Sequence, residues 1–391
     1  MKYYLIAGEA SGDLHAANLM AALRRTDTQA RFRFMGGDLM SAQEGDCFRH
    51  YRHTAYMGFV PVLLHLPAIL STLRRAKEDI LVYQPDVLIL IDYPGFNLKI
   101  AAFVKKYLHI PVCYYISPKL WAWKRYRIRT IRRYIDRMYC ILPFEEDFYR
   151  TLNYPVEYVG NPTVDSIEHF LHTRPLVRQA FLDANHLLDL PCIALLPGSR
   201  RQEIRDNLPL MLQAASSFQG YSILVAAAPG IESDYYRRFT QGYPVTLLFD
   251  QTYLLLYHST AALVTSGTAT LEAALLGVPQ AVCYKTPLGR LVRFVFRRFF
   301  AVPYISLVNL ILEKELVREL FGDAFTLSNL RRELDCLLNN QERRKEVFSG
   351  YDSLRHTLGS SGAAQYTANR IFHFLEKKGD RCKTIALEKR G

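Results

Sequence analysis

Short apolar runs alternate with longer stretches of helical spacing along the whole chain, and this alternation predicts a parallel α/β protein. In the first half, the runs that predict strands are 3–7, 31–34, 86–92, 112–116, 138–142 and 156–159. In the second half they are 192–196, 222–227, 245–249, 261–265 and 280–284. Because the alternation occurs twice in 391 residues, we expect two doubly wound domains.

A mixed polar stretch without a clean period, residues 164–190, separates the two halves and is the expected link. We therefore place an N-terminal domain at 1–165 and a C-terminal domain at 190–350. Apolar spacing from 364 to 374 predicts a last helix, and the basic residues from 377 to 390 look like a flexible end.

One apolar segment, residues 57–70, does not fit the strand pattern because two prolines interrupt it. A core strand rarely contains internal prolines. We expect this segment, which includes Phe59, either to line an apolar pocket or to dip into the surface of a bilayer. No run of 18 uncharged apolar residues occurs, so no segment is expected to span a membrane.

The chain is basic, with 49 Lys and Arg against 37 Asp and Glu, and the excess of 12 is clustered. Residues 119–137 and 285–300 each mix basic side chains with aromatic or apolar ones. Such mixtures suit an anionic membrane surface, a phosphorylated lipid or nucleic acid, and they also occur on solvated helix faces. The seven cysteines form no Cys-x-x-Cys pair and mostly lie in apolar runs, which indicates reduced thiols of a cytosolic protein.

Asp92 closes the apolar run 86–92. Ligands of parallel α/β sheets bind beyond the carboxyl ends of the strands, so Asp92 is a candidate catalytic carboxylate. Its alternative is to cap the helix that follows. The loop after the next strand contains Trp121 and Trp123, and tryptophans in such a loop more often line a sugar or lipid site than fill a core.

Residues 195–203 contain a strand end, the turn Pro197-Gly198 and a helix start. This arrangement leaves backbone N–H groups unpaired, and the planar side chains of Arg200 and Arg201 suit phosphate oxygens. An ordinary strand–helix turn with solvated arginines is the alternative.

A second turn of this kind, Ser266-Gly267-Thr268, follows the strand 261–265. Small residues at a helix start suit a diphosphate. Glu272 follows one helical turn later, where its carboxylate would accept hydrogen bonds from two ribose hydroxyls or cap the helix. Two such turns in one domain indicate a nucleoside diphosphate. The first turn of the chain, residues 8–13, lacks the G-x-G-x-x-G spacing, so a dinucleotide is weakly supported.

Seven motifs follow one another in an order that resembles the lipid A disaccharide synthase family over roughly residues 3 to 320. Each motif is modest alone, and the combination is specific. They are GEASGD at 8–13, IDYPGFN at 91–97, SPKLWAW at 117–123, LPFE at 142–145, LPGSR at 196–200, SGTATLE at 266–272 and YISLVN at 304–309.

The resemblance implies a GT-B fold, in which two Rossmann-like domains face each other across a cleft and a last helix, about 361–378, crosses back to the first domain. It also implies transfer of 2,3-diacylglucosamine from UDP-2,3-diacylglucosamine to 2,3-diacylglucosamine 1-phosphate with inversion. The products would be the β-linked disaccharide 1-phosphate and UDP. The expected location is the cytoplasmic face of the inner membrane, on its anionic surface, with no nucleic acid partner, and a homodimer is left open.

An inverting transfer needs one general base, and Asp92 matches that position, with Asp13 and His15 on the first loop as rivals. Because Arg200 and the turn at 266–268 would stabilise the leaving UDP, no metal and no cofactor is expected. The expected UDP-sugar contacts are Gly8, Glu9, Ser11, Gly12, Gly198, Ser199, Arg200, Ser266, Gly267, Thr268, Glu272 and Asn309. The expected acceptor and lipid contacts are Asn97, Trp121, Trp123, Phe59, Arg293 and Arg297.

Two positions depart from the family pattern. Gly95 stands where many relatives have a second acidic residue, and Val308 replaces the proline usual before Asn309. Two other functions remain open at this point: another UDP-sugar enzyme of the same fold, such as an epimerase, and a non-catalytic binder of nucleic acid or anionic membrane through residues 119–137.

Overall fold

The computed structural model describes residues 1–53, 66–122, 124–286 and 304–388. They form two compact units. The first unit joins Met1–Pro162 to the C-terminal segment that begins at Ser361, and the second unit is Thr163–Ser360.

The first unit is built on a seven-stranded parallel sheet of order β3-β2-β1-β4-β5-β6-β7. The order reverses between β1 and β4, whose carboxyl ends therefore form the switch point at which such sheets bind ligands. The strands are β1 Lys2–Ala7, β2 Arg31–Gly36, β3 Asp46–His50, β4 Val87–Ile91, β5 Val112–Tyr115, β6 Arg137–Cys140 and β7 Glu157–Tyr158.

Helices cover both faces of this sheet, because successive side chains of a strand point to opposite sides. Tyr3 and Leu5 of β1 pack in one core cluster, and Tyr4 and Ile6 pack in the other. Among the described residues up to 161, the helices are α1 Ala10–Thr26, α2 Asp38–Ser41, α3 Leu66–Tyr83, α4 Pro94–Tyr107, α5 Ile128–Tyr134 and α6 Phe144–Thr151.

The second unit repeats the design with a six-stranded parallel sheet of order β10-β9-β8-β11-β12-β13. Its switch point lies between β8 and β11. The strands are β8 Cys192–Leu196, β9 Ser222–Ala227, β10 Val245–Phe249, β11 Ser259–Thr265, β12 Gln280–Tyr284 and β13 Arg318–Phe321.

In the described part of the second half, the helices are α7 Pro162–Thr173, α8 Arg178–Ala184, α9 Arg201–Ala215, α10 Ser233–Thr240, α11 Thr252–Tyr257, α12 Thr268–Leu275, α13 Leu307–Leu312, α14 Leu327–Asn339, α15 Gln341–Leu358 and α16 Ala363–Glu388. The last of these belongs to the first unit and packs on α1. Arg25 Nε of α1 donates to Gln365 Oε1 of α16 at 2.9 Å.

The predicted α/β class with two doubly wound sheets is confirmed. One local expectation is wrong, because the basic end at 377–390 is helical as far as Glu388. The strands β3 and β13 were not predicted, and the stretch 164–190 holds most of α7 and all of α8.

Candidate functional site

The switch point of the first unit places Gly8, which follows β1, beside Tyr93, which follows Asp92. A Cβ on Gly8 would lie 2.4 Å from two ring carbons of Tyr93. Only a glycine therefore lets this ring pack on the turn between β1 and α1. Gly8 has a packing role here, and it fixes the turn that carries Asp92.

The backbone at Asp92 and Tyr93 is strained, with φ of +42° and +46° at two successive non-glycine residues. Two buried side chains hold it. The carbonyl oxygen of Asp92 accepts from the Tyr114 hydroxyl and, at 2.7 Å, from Asn97 Nδ2. Asn97 is fully buried, and its amide clamps the turn. Its expected contact with the acceptor stays a prediction.

Burial raises the pKa of Asp92, while the Lys119 ammonium and the Tyr93 backbone N–H lower it. The N-cap position of α4 belongs to Tyr93, so Asp92 lies one residue before the helix cap. A carboxylate with a raised pKa is a stronger base than an ordinary aspartate, which suits proton abstraction.

The two rival bases lie on a helix and not on a loop, because α1 begins at Ala10. Asp13 is 2% exposed, and its carboxylate accepts from the backbone N–H of Gly37 at 2.6 Å and of Leu39 at 3.1 Å. Burial lowers the pKa of His15 to about 4, which is a poor match to a base acting near neutral pH. Asp13 is thus engaged in capping α2, and Asp92 is the better candidate.

Three further expected UDP-sugar contacts lie in the first unit, at the N-terminus of α1. Glu9 is the N-cap residue and half-buried, Ser11 is exposed, and Gly12 packs on β1, where a Cβ would lie 3.3 Å from that of Ala7. Their contact with a nucleotide sugar stays a prediction.

A buried acid, Glu145 of α6, lies behind the loop that follows β5. Its Oε1 accepts from Ser117 Oγ at 2.7 Å and from Trp121 Nε1 at 3.0 Å, and burial raises its pKa to about 7. Trp121 is 6% exposed and packs edge-on against Phe144, and its expected contact with acceptor or lipid stays a prediction. Glu145 was not predicted as a functional residue, although it belongs to the LPFE motif. An acidic residue directly after an apolar strand and a turn is expected to be buried, and a buried carboxylate requires hydrogen-bond donors.

One buried side chain ties together the strand ends at the switch point of the second unit. Asn207 of α9 donates to Thr265 Oγ1 at 3.0 Å and to the Pro197 carbonyl at 3.4 Å. Its Oδ1 accepts from the backbone N–H of Lys285 at 2.9 Å. Asn207 was not predicted as a site residue, because an asparagine in the middle of a helix usually indicates a solvated position.

The turn after β8 is shaped by Gly198 and Glu203. Gly198 has φ +117°, and a Cβ there would lie 2.5 Å from that of Glu203. Glu203 Oε2 accepts from the Ser199 backbone N–H at 3.0 Å, and its Oε1 lies 3.4 Å from an Arg200 guanidinium nitrogen. Glu203 therefore braces the turn, and Arg200 lies at the start of α9.

The two arginines of this turn differ in their partners. The Arg200 side chain is 60% exposed at the N-cap of α9. The guanidinium of Arg201 pairs with Glu232 at 2.5 Å and lies 5.0 Å from the centre of the Tyr235 ring. Both side chains are more than half exposed, and the role of Arg200 as the phosphate ligand stays a prediction.

The second turn opens α12, with Gly267 as N-cap and Thr268 as the first helical residue. Ser266 Oγ donates to the carbonyl of Ile305 at 2.8 Å, which fixes the turn. Glu272 is half-buried, accepts from the Tyr253 hydroxyl at 3.1 Å, and has its pKa raised by burial. Its contact with ribose stays a prediction.

Asn309 was expected near the nucleotide, and that contact stays a prediction; the structure shows a buried bonding role for this residue. It is fully buried, and its Nδ2 donates to the Val317 carbonyl at 2.8 Å and to Glu319 Oε1 at 2.9 Å. Its Oδ1 accepts from the backbone N–H of Leu316 at 2.9 Å and of Val317 at 3.0 Å. Asn309 therefore joins α13 to the start of β13.

Replacing Asn309 by Ala is expected to lower the free energy of unfolding by about 3 kcal/mol. The substitution leaves the backbone N–H groups of Leu316 and Val317 and the Val317 carbonyl without their hydrogen-bond partner. Chemical denaturation measures this change. Asn339→Ala, which removes an exposed amide bonded to Asp335, is the control and should change the value by less than about 0.5 kcal/mol. Unchanged stability with lost UDP affinity would return Asn309 to the nucleotide site.

Four of the expected acceptor and lipid residues remain untested by the structure. Phe59, Trp123, Arg293 and Arg297 lie outside the described residues. Of the other expected residues, the first unit brings Asp92 and Gly8 to one switch point, and the second unit brings the turns at 198–200 and 266–268 to the other.

A profile of the family described as Lipid-A-disaccharide synthetase matches residues 3–368. The lipid-A-disaccharide synthase of Myxococcus xanthus (strain DK1622) is 39% identical over 378 residues, which are 95% of this chain and 97% of that protein. That of Acidobacterium capsulatum is 36% identical over 385 residues, 92% of each chain.

Two solved structures share the fold at low identity. UDP-GlcNAc 2-epimerase from Neisseria meningitidis, bound to UDP-GlcNAc, has a TM-score of 0.63 and 14% identity, and the match covers 96% of this chain and 100% of that one. The calicheamicin glycosyltransferase CalG4 has a TM-score of 0.59 and 15% identity, with coverage of 96% and 98%. The expected GT-B fold is thereby confirmed.

Proposed function

The chain belongs to the lipid-A-disaccharide synthase family, and from this premise we propose that Asp92 is the general base of its sugar transfer. The protein is a glycosyltransferase of lipid A biosynthesis. The proposed donor is UDP-2,3-diacylglucosamine, and the proposed acceptor is 2,3-diacylglucosamine 1-phosphate. The observation that carries the base assignment is the strained, doubly clamped turn that fixes Asp92 at a switch point.

In the proposed step, Asp92 takes the proton of the acceptor hydroxyl while that oxygen attacks C1 of the donor sugar. The bond between C1 and the β-phosphate oxygen breaks, and both of its electrons leave with UDP. Arg200 and the backbone donors of the turn at 266–268 stabilise the negative charge that develops on UDP. One displacement inverts C1, so an α-linked donor gives a β-linked product.

The test is an assay of purified protein with both sugars in detergent micelles, following UDP and disaccharide. We expect UDP release to require both substrates and to equal disaccharide formation. The absence of disaccharide from the wild-type protein would overturn the proposal. Interconversion of UDP-sugar epimers without transfer would favour the epimerase activity that other proteins of this fold carry.

We also propose that the protein acts at the cytoplasmic face of the inner membrane. In the described parts of the chain, no helix is both long and apolar enough to cross a bilayer. A cavity of about 840 Å³ on the first unit is lined by cations and aromatic rings. Lys105 is paired there with Asp136, whereas Lys77, Lys99, Lys106 and Arg133 take part in no salt bridge among the described residues. This surface supports contact with anionic headgroups.

Replacing Lys99, Lys106 and Arg133 together by Gln is expected to weaken binding to phosphatidylglycerol-containing vesicles at least about tenfold, because each cation near an anionic surface contributes roughly 1 kcal/mol. Vesicle sedimentation measures the partition. The control removes three exposed cations of the second unit, Lys314, Arg331 and Lys345. Equal losses in both variants would show that net charge alone matters.

The expected homodimer also stays a prediction. Light scattering, which measures the molar mass in solution, tests it.

A further inference from the structure

Residues 116–121, which follow β5, expose a single side chain. Ile116, Ser117, Leu120 and Trp121 are each no more than 7% exposed, and Pro118 is buried. Lys119 alone among residues 116–121 is exposed. A loop that buries five of six residues and exposes one cation presents that cation in a defined place.

Helix α6 fixes this loop from behind. Glu145 accepts from Ser117 and Trp121, on either side of Lys119. The Tyr149 hydroxyl donates to the Pro118 carbonyl at 2.7 Å. The carbonyl of Lys119 itself accepts from the Ala122 backbone N–H at 3.1 Å. The backbone of Lys119 is therefore held on both sides by buried hydrogen bonds.

The same loop lies beside the candidate base. Strand β5 pairs with β4 in a register that opposes Ile91 and Tyr115, and the backbone N–H of Asp92 donates to the Tyr115 carbonyl at 3.1 Å. Lys119 lies four residues after Tyr115 in the sequence, and its charge lowers the pKa of Asp92. Within the described ranges, no salt bridge includes Lys119, so its ammonium remains available to an anionic ligand.

We propose that Lys119 binds the phosphate of the acceptor and so sets the preference for a phosphorylated sugar. This inference rests on the proposed transfer, because it concerns the acceptor of that reaction. An acceptor phosphate and the Asp92 carboxylate are both negative, and a cation between their sites reduces their repulsion. The ammonium donates up to three hydrogen bonds to phosphate oxygens.

The test is a binding titration with two ligands in detergent micelles: 2,3-diacylglucosamine 1-phosphate and 2,3-diacylglucosamine without the phosphate. Lys119→Gln should weaken binding of the phosphorylated ligand about 10- to 100-fold, the range for a charged hydrogen bond. Binding of the phosphate-free ligand should be unchanged, and Lys119→Arg should retain most of the affinity. Arg129→Gln, an exposed cation of the same basic run, is the control and should bind both ligands like wild type.

Equal losses for both ligands, or no loss for the phosphorylated one, would overturn the assignment. The thermal transition temperature of each variant is measured alongside and identifies a loss of binding that comes from unfolding. If Lys119→Gln is unfolded, the affinity of Lys119→Arg for the two ligands decides whether the cation binds the phosphate. Binding is read without turnover. Specific phosphate recognition in a protein that forms no disaccharide would thus refute the proposed transfer and uphold the role of Lys119.

Discussion

Replacing Asp92 by Asn is expected to lower kcat about 10²- to 10⁴-fold, the contribution of a positioned general base. The amide keeps the size of the side chain but does not take the proton of the acceptor hydroxyl. The backbone clamp on Asp92 does not involve its carboxylate, so the turn should remain folded. Initial rates of UDP release with both substrates measure the effect.

Asp86→Asn is the matched control, because Asp86 lies at the opposite end of the same strand and accepts from the Lys2 backbone N–H at 2.7 Å. The amide oxygen of Asn retains that bond, so we expect near-normal rates. Near-normal turnover in Asp92→Asn itself would contradict the assignment and return the role to Asp13 or His15.

The pH dependence gives an independent check on Asp92. Burial raises its pKa, so the carboxylate protonates at a higher pH than an ordinary aspartate and the rate falls as pH drops through that value. Because Lys119 lowers the same pKa, Lys119→Gln should move the acid limb of the profile to higher pH. A limb at the ordinary aspartate value would indicate another base.

Replacing Arg200 by Gln is expected to lower kcat/KM about 10²- to 10³-fold, as the loss of a donor to developing charge does elsewhere. The physical reason is the exposed guanidinium at the start of α9, next to the backbone donors of the turn. UDP affinity, measured by calorimetry, should fall in the same variant.

Arg201→Gln is the control for Arg200. This residue is adjacent and carries the same charge, but its guanidinium is engaged with Glu232 and Tyr235. Loss of an exposed pair costs little, so we expect activity near that of wild type. A larger loss in Arg201→Gln than in Arg200→Gln would exchange their roles.

Four strands of the second unit were predicted to the residue. The strands β8, β9, β10 and β12 begin and end at the predicted residues, because each is an almost continuous apolar run between polar turns. The edge strand β3, Asp46–His50, was missed because charged and polar residues dominate it. Only its pairing with β2 makes it a strand.

The site was predictable only in part, for a physical reason. The position of Asp92 follows from the strand that precedes it, and that of Arg200 follows from the turn after β8. The burial of Asn97 and Asn309 could not be predicted in this way. An asparagine whose amide clamps a backbone turn occurs in the same kind of loop as an asparagine that binds a ligand. Trp121 is similar, because Glu145, its buried partner, lies 24 residues away.

The anomeric configuration of the product tests the central claim most directly. Wild-type protein is incubated with UDP-2,3-diacylglucosamine and 2,3-diacylglucosamine 1-phosphate, and the new glycosidic bond is examined by NMR. A single displacement assisted by Asp92 predicts a β-linked disaccharide 1-phosphate, with one UDP released per bond. An α-linked product, or UDP release without a disaccharide, would contradict this account.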